Sequence, residues 1–380
     1  MEEKTLFTMF SLLRSVFGVS LDPEIELDMG SLCQIARAHD VEHLVAFALK
    51  KNGLLKPEDS FAEKSIFKAV YRYERLNFVL DELSDALETA GIPFIPLKGS
   101  VLRKYYPEPW MRTSCDIDVL VHREDLERAI EYLSRTLGYV EKWRDARDVS
   151  LFTPGGVHIE LHFDLVEEGC ANNAIKVLER VWDNVSLCEK SIFRYEMSDA
   201  FFYFYHIAHM AKHFETGGCG IRPFIDLWIL DHMENADFSA RDALLSRGGL
   251  WKFAEVSRTL SNVWFGSEEQ NDISFQMQEY LLHGGVYGSS DNRVALQQKK
   301  RGGRLGYFLS RVFAPYDKLK RYYPILEKHR WLIPFMQVRR WFKLLQPHVA
   351  SMAKSEIETN RNLQKGRADE MGNFLKNIGL

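Results

Sequence analysis

The segment IPLKGSVLRKYYPEPWMRTSCDIDVLV, residues 95–121, is the most informative part of the sequence for the fold, because it contains two apolar runs that predict strands on either side of a turn. The first run ends at a turn made by Gly99 and Ser100, and the second run carries Asp116 and Asp118. Successive side chains of a strand point to opposite faces, so the two aspartates share one face. Carboxylates on one buried face repel each other, and burying them costs several kcal/mol unless they are paired.

A divalent cation would remove this repulsion. Mg²⁺ is a hard ion that binds oxygen ligands, commonly one or two carboxylates together with the phosphates of a substrate. A third carboxylate is available on the strand predicted over residues 157–163, where Glu160 stands among apolar neighbours. Two metal ions in such a site clamp the attacking and the leaving oxygen of a phosphoryl transfer. The sequence therefore predicts Asp116, Asp118 and Glu160 as catalytic residues and as ligands of Mg²⁺ or Mn²⁺.

The turn before the aspartates predicts a binding site for substrate phosphates. Glycine lets the backbone approach a phosphate closely, and the start of a following helix offers N–H groups to an anion. Lys98, Gly99 and Ser100 are therefore candidate binding residues. Arg112 is a further candidate, with two alternatives: its guanidinium binds a phosphate in bidentate fashion, or it neutralises Asp116.

The patterns around this stretch indicate an α+β fold. Residues 67–90 and 126–137 have the apolar spacing of amphipathic helices, and residues 139–143 and 150–152 predict two further strands. After residue 169 the pattern is helical. We expect a small mixed sheet with flanking helices, embedded in a larger and mostly helical protein.

The same patterns predict four regions along the chain. They are an N-terminal helical region, a core with the sheet, a helical domain, and a basic, aromatic-rich helical C-terminal region: 1–90, 91–170, 171–290 and 291–380. Residues 299–343 hold thirteen basic and two acidic residues. Such a segment binds RNA or another polyanion, or it is the basic outer face of packed helices, which is the favoured interpretation. The polar tail after Lys354 is expected to be a loose helix or disordered.

Composition narrows the class of protein. The chain has 380 residues and a net charge of −4, which indicates no acidic or nucleic-acid partner. Its five cysteines form no CxxC pair, which disfavours zinc ribbons and thioredoxin-like redox sites. The start MEEKTLFTMFSLLRSVF lacks the pattern of a signal peptide, and no stretch of about 18 apolar residues predicts a membrane span. We expect a cytoplasmic protein that does not bind membranes.

A family resemblance follows from these motifs and their order. Gly99-Ser100, the Asp116-Ile117-Asp118 strand and Glu160 in VHIELH resemble the nucleotidyltransferase superfamily with the polymerase-β-like core. A narrower likeness extends over residues 31–233. It is to a family of bacterial nucleotidyltransferases whose acceptor is generally unassigned, and it includes Leu97-Lys98-Gly99, Tyr106-Pro107, Arg112, the DID and the IELH.

The resemblance implies transfer of a nucleoside monophosphate from an NTP to a hydroxyl acceptor on a small molecule, a protein or an RNA end. It implies that Asp116 and Asp118 hold both metal ions, and that Glu160 is a third ligand or the base. It implies that Ser100 contacts the β- and γ-phosphates of the NTP. It also implies a phosphate-binding lysine in the following helical domain, for which Lys212 is the candidate, although an ordinary surface lysine is the favoured interpretation of Lys212.

Two other functions stay open at this level. One is an inactive nucleotide-binding module, and the other is an RNA- or tRNA-modifying, toxin-like protein that uses the basic C-terminal region. His206, His209 and His213 share a helix face; we favour a core or supporting role for them over a zinc site. Arg222 and Asp226 have the i, i+4 spacing of a pair within one helix.

Overall fold

A small mixed sheet lies at the centre of the fold. The computed structural model describes residues 3–56, 60–166, 172–282, 284–286, 288–316, 319–320, 323, 325–343, 347–364 and 366–380. The sheet has the strand order β1-β2-β5-β4-β3, in which β2 and β5 are parallel and the other pairs are antiparallel. Its strands are β1 Phe94–Pro96, β2 Asp116–Val121, β3 Val140–Arg144, β4 Asp148–Phe152 and β5 His158–His162. The predicted α+β class with a mixed sheet is confirmed.

Two amphipathic helices cover one face of the sheet. They are α4, Phe61–Thr89, and α6, Leu126–Leu137, and their apolar residues pack on Ile117 of β2 and Ile159 of β5. Each fully buried leucine or isoleucine contributes roughly 2 kcal/mol of transfer free energy, so this face fixes the register of both strands. Gly138 ends α6 in the left-handed conformation, with φ +69°, as its position after the last apolar residue predicts.

Most of the remaining helices come before β1 or after β5 in the chain. A short helix follows β1, and a two-stranded hairpin, β6 and β7, lies between two of the later helices. The helices are α1 Glu3–Val16, α2 Met29–Ala38, α3 Glu42–Lys51, α5 Gly99–Leu102, α7 Asn172–Leu178, α8 Asp199–Glu215, α9 Arg222–Asp231, α10 Phe238–Gly248, α11 Trp251–Phe265, α12 Asp272–Leu282, α13 Ser290–Lys300, α14 Arg304–Val312, α15 Ile325–Lys328, α16 Ile333–Lys343, α17 Pro347–Asn362 and α18 Arg367–Asn377; the hairpin strands are β6 Val185–Leu187 and β7 Tyr195–Met197.

Helices from distant parts of the chain share one apolar core. Phe10 of α1 stacks on Trp264 of α11 with ring centroids 4.7 Å apart, and Arg14 donates to the carbonyl oxygens of Val263 and Trp264. Aromatic pairs of this kind add about 1 kcal/mol beyond their buried area. The N-terminal helices are therefore packed against the later helical part, and the predicted division at residues 90, 170 and 290 stays a prediction.

The C-terminal part combines buried and exposed aromatic residues. Tyr307 is buried, whereas Trp331, Phe335 and Phe342 are exposed. The predicted loose tail is wrong for α18, whose Phe374 packs in the main core against Tyr280 at a centroid distance of 5.0 Å. Among the helices that the structure describes, none has both the length and the apolar character needed to cross a bilayer.

Candidate functional site

Three carboxylates meet on the face of the sheet that α4 and α6 leave uncovered. The parallel register of β2 and β5 pairs Asp116 with His158, and Asp118 with Glu160. Ile117 between the aspartates is fully buried in the opposite face, so alternation directs both aspartates the same way. The structure thus brings together all three predicted acids, including the one from a distant strand.

Two histidines of β5 join these acids. Ligand atoms of Asp116, His158 and Glu160 lie within 4.8 Å of one another, and those of Asp118, Glu160 and His162 do the same. Neither His158 nor His162 was predicted to belong to the site. The same alternation that places Glu160 on this face also places both histidines there. Their positions beside the acids could therefore have been predicted from the sequence.

Asp118 is held by two partners, Lys98 and His162. Lys98 Nζ donates to Asp118 Oδ1 at 2.8 Å, and His162 Nε2 lies 2.9 Å from the same oxygen. Burial acts to raise the pKa of Asp118, but Lys98 and His162 outweigh it and hold this pKa well below its usual range. Burial likewise lowers the pKa of His162, yet its contacts with Asp118 and Glu160 leave that pKa raised.

Asp116 has the opposite electrostatic environment. Burial raises its pKa, and the negative charges of Asp118 and Glu160 raise it further. The cluster therefore carries negative charge that its own cationic partners do not fully balance at Asp116. Oxygen donors from three carboxylates, with imidazole nitrogens beside them, fit a divalent cation such as Mg²⁺ or Mn²⁺.

The turn after β1 brings Lys98 and Gly99 to the same site. Lys98 has φ +45° and ψ −120°, a backbone conformation that residues other than glycine rarely adopt. Such backbone costs about 1–3 kcal/mol and is maintained only where surrounding contacts enforce it. Here the enforced conformation accompanies the ion pair between Lys98 and Asp118.

Ser100 is placed differently from Gly99. Its N–H donates to the carbonyl oxygen of Leu97 at 3.1 Å. Its hydroxyl is enclosed and has no hydrogen-bond partner among the described residues. Within the described part of the chain, Gly99 lines the cavity that contains the acids, and Ser100 does not. The predicted contact between Ser100 and a phosphate stays a prediction.

Arg112 is engaged in a buried ion pair with a distant helix. Its Nε donates to Asp226 Oδ1 at 2.7 Å and its Nη2 donates to Oδ2 at 2.8 Å. Tyr106 donates its hydroxyl to Asp226 Oδ1, and Asp226 is fully buried. The guanidinium therefore neutralises Asp226 rather than Asp116. The predicted pair of Arg222 with Asp226 is wrong, because Arg222 donates to Asp40 at 2.5 Å.

A cavity of about 470 Å³ lies above the acids. Its far wall is α8, from which His206, His209, Lys212 and His213 all line the cavity. His206 Nε2 lies 3.0 Å from the carbonyl oxygen of Pro223, and the Nε2 atoms of His209 and His213 are 3.1 Å apart. Lys212 thus faces the same cavity as the acids, as its candidate role requires, and the histidines form a polar wall.

Comparisons with known proteins give one match. A family described as "Uncharacterised nucleotidyltransferase" matches residues 26–266, which is more than half of the chain. The matched region contains the whole sheet, the acids and the α8 wall. No curated protein and no solved structure matches the chain.

Proposed function

Because the chain belongs to this nucleotidyltransferase family, we propose that it transfers a nucleoside monophosphate from an NTP to a hydroxyl acceptor, releasing pyrophosphate. We propose further that the reaction requires Mg²⁺ or Mn²⁺. The observation that carries this proposal is the meeting of Asp116, Asp118 and Glu160 on one sheet face, beside a cavity large enough for a small substrate. Cytoplasmic location stays a prediction.

The acids and their neighbours have distinct proposed roles. Asp116 and Asp118 would hold the metal ions, which would neutralise charge on the triphosphate, and Glu160 would be their third ligand or the base. Lys98 keeps Asp118 ionised, because their 2.8 Å contact favours the charged carboxylate. Gly99 and Lys212, which line the same cavity, are the proposed contacts of the phosphates.

The proposed chemical step is a displacement at the α-phosphorus of the NTP. The acceptor oxygen forms a bond to the α-phosphorus of the NTP, and the bond from that phosphorus to the bridging oxygen of the β-phosphate breaks. Pyrophosphate leaves, and the acceptor hydroxyl gives its proton to Glu160, which faces the cavity as a half-buried carboxylate. Glu160 is the proposed base because its side chain is more exposed to the cavity than that of Asp118, which is buried against Lys98 and His162.

A panel of the four NTPs with Mg²⁺ or Mn²⁺ tests the proposal. We expect pyrophosphate release, and mass analysis of the protein and of a cell extract should find an adduct of one nucleotide on one acceptor species. Asp116→Asn should reduce turnover at least 100-fold, on the order of the loss seen when a key electrostatic group is removed. Asp85→Asn, the same change at an exposed position of α4, is the matched control.

Two results of this panel would contradict the proposal. Retention of a nucleotide without pyrophosphate would support the inactive binding module instead. If Asp116→Asn keeps the full turnover, the acids do not take part in the reaction. RNA as the acceptor would show in steep loss of activity with rising salt, because binding to phosphates of RNA depends on counterion release.

A further inference from the structure

An irregularity in the edge strand β3 places a tryptophan on the catalytic face. Val140 pairs with Phe152 and Glu141 with Leu151, but the next pair is Trp143 with Ser150, so Lys142 is an extra residue. Regular alternation from Val140 would put Lys142 on the face of the acids and Trp143 on the opposite face. The bulge exchanges them, because one added residue reverses the direction of every later side chain.

The face that Trp143 reaches follows from the cross-strand pairs. Ser150 pairs with Glu160, and Phe152 pairs with His158, so these four side chains share the face that carries the acids. Trp143 pairs with Ser150 and therefore joins them. Consistent with this, Trp143 lines the same cavity as Asp116, Asp118 and Glu160.

The ring of Trp143 is supported on one side and open on the other. Its centroid lies 5.6 Å from that of Phe152 and 5.7 Å from that of His158, and these two rings stack on each other at 4.7 Å. Nevertheless 53% of Trp143 is exposed, and every residue of β3 is exposed. A large ring that is held in place but not buried offers a flat apolar surface to a ligand.

This ring is adjacent to the acids through a single neighbour. His158, which contacts Trp143, also has a ring nitrogen within 4.8 Å of carboxylate oxygens of Asp116 and Glu160. One cavity thus reaches both the acids and Trp143, so a substrate whose phosphates lie at the acids can place another of its groups against the Phe152–His158–Trp143 cluster. In an NTP, the flat group on the far side of the sugar from the phosphates is the nucleobase.

We propose that Trp143 is the stacking surface for the nucleobase of the donor NTP. The inference rests on the proposed function, since it assigns the base to one side of the same cavity. Stacking on an aromatic ring tolerates every base, because each base has a flat face. The four NTPs should therefore differ modestly in affinity, with purines favoured by their larger ring area.

Binding measurements with and without a base test this subsite. Isothermal titration calorimetry of the full chain, with Ca²⁺ in place of Mg²⁺, would compare ATP with tripolyphosphate, which has the phosphates but no base. We expect Trp143→Ala to raise the Kd of ATP about 10-fold or more and to leave the Kd of tripolyphosphate unchanged within 2-fold. Trp143→Phe should keep most of the affinity for ATP.

The matched control is Trp331→Ala, the same truncation at an exposed tryptophan outside this cavity, which should leave both dissociation constants unchanged. Thermal unfolding of each variant reports whether the sheet is intact.

The binding measurements distinguish a failure of base stacking from a failure of the proposed nucleotidyl transfer. If the wild-type chain binds tripolyphosphate and ATP equally well, the base contributes nothing and the stacking inference is wrong, while the proposed function stands. If Trp143→Ala leaves ATP affinity unchanged, or lowers stability alone, the bulge serves only to protect the edge of the sheet. If the wild-type chain binds neither compound, the proposed function is wrong and the inference with it.

Discussion

Asp116 and Asp118 are chemically identical in the sequence, but the structure gives them different environments. Asp118 is 5% exposed and contacts both Lys98 and His162. Asp116 has a raised pKa, caused first by burial and then by the charges of Asp118 and Glu160. A substitution to asparagine, which removes the charge and keeps the shape, therefore affects the two positions in opposite directions.

We expect Asp116→Asn to leave the free energy of unfolding unchanged or to raise it by about 1 kcal/mol, because it removes like-charge repulsion. Asp118→Asn should lower this free energy by roughly 3 kcal/mol, because it leaves Lys98 without its buried counter-charge. Urea denaturation of both variants without added metal is the measurement. Equal effects in the two variants would show that the ion pair with Lys98 contributes nothing.

The sequence did not predict which ion-pair partner each charged residue has. Alternation predicted that Asp116, Asp118 and Glu160 share a face, since it depends only on strand geometry. Arg112 is equally able to bind a phosphate, Asp116 or Asp226. Its pairing with Asp226 depends on the position of α9 in the fold. The residues around Arg112, 109–114, do not predict that position.

At the scale of elements, the turn after β1 is fastened to the start of β2. Arg103 donates from Nε to the carbonyl oxygen of Gly99 at 3.0 Å and from Nη2 to Ser114 Oγ at 3.2 Å. A Cβ added to Gly99 would lie 3.3 Å from Ser114 Cβ, which is tighter than most real contacts. A larger residue at position 99 would therefore press on the side chain of Ser114, which would have to shift by a few tenths of an ångström.

We expect Gly99→Ala to lower the free energy of unfolding by about 1–2 kcal/mol, because the new methyl group forces the turn away from Ser114. Combining it with Ser114→Gly, which removes the contacting Cβ, should recover part of this loss. A double-mutant cycle from urea denaturation would measure a coupling of about 0.5 kcal/mol or more. If the effects of the two substitutions are strictly additive, the destabilisation by the methyl group does not come from its contact with Ser114.

Elements with strong periodicity were predicted well, and those that depend on distant contacts were not. Helix α6 and strands β2 and β5 follow their apolar patterns closely. The hairpin of β6 and β7 was missed, because its three-residue strands are too short to show alternation. The bulge in β3 was also missed, since a period of two puts Trp143 on the wrong face.

At the scale of the whole molecule, the N-terminal helices contribute buried histidines that contact other parts of the fold. His43 of α3 has Nε2 at 2.8 Å from the carbonyl oxygen of Met111, and His39 follows α2 directly. Burial lowers the pKa of each to about 4. Both side chains are therefore neutral in the folded protein at pH 7 and remain so under mildly acidic conditions.

These histidines make stability depend on pH. The unfolded chain takes up protons at both positions near pH 6.5, whereas the folded chain does so only near pH 4, so acid favours unfolding between these values. The stability that these two histidines contribute should be fully present well above pH 6.5 and be lost towards pH 4, by up to roughly 3 kcal/mol for each histidine. Urea denaturation between pH 7 and pH 4.5 would follow this loss.

The matched variants for this prediction are two changes to glutamine. His43→Gln should make the dependence on pH shallower, because it removes one of the titrating groups. His329→Gln, at an exposed position, should leave the dependence unchanged. A wild-type protein whose stability is the same at pH 7 and pH 5 would show that these histidines titrate alike in both states.

Local sequence patterns were enough to predict the α+β class, the sheet face that carries the acids, and the likeness to nucleotidyltransferases. These properties follow from alternation and helical spacing, which act between residues close in the chain. The folded chain was needed to show the partners of Lys98 and Arg112, the face of Trp143, and the packing of α18. Each of these features depends on which distant segments pack together. Carboxylates that are chemically equivalent as partners differ only in their distances, which this packing sets.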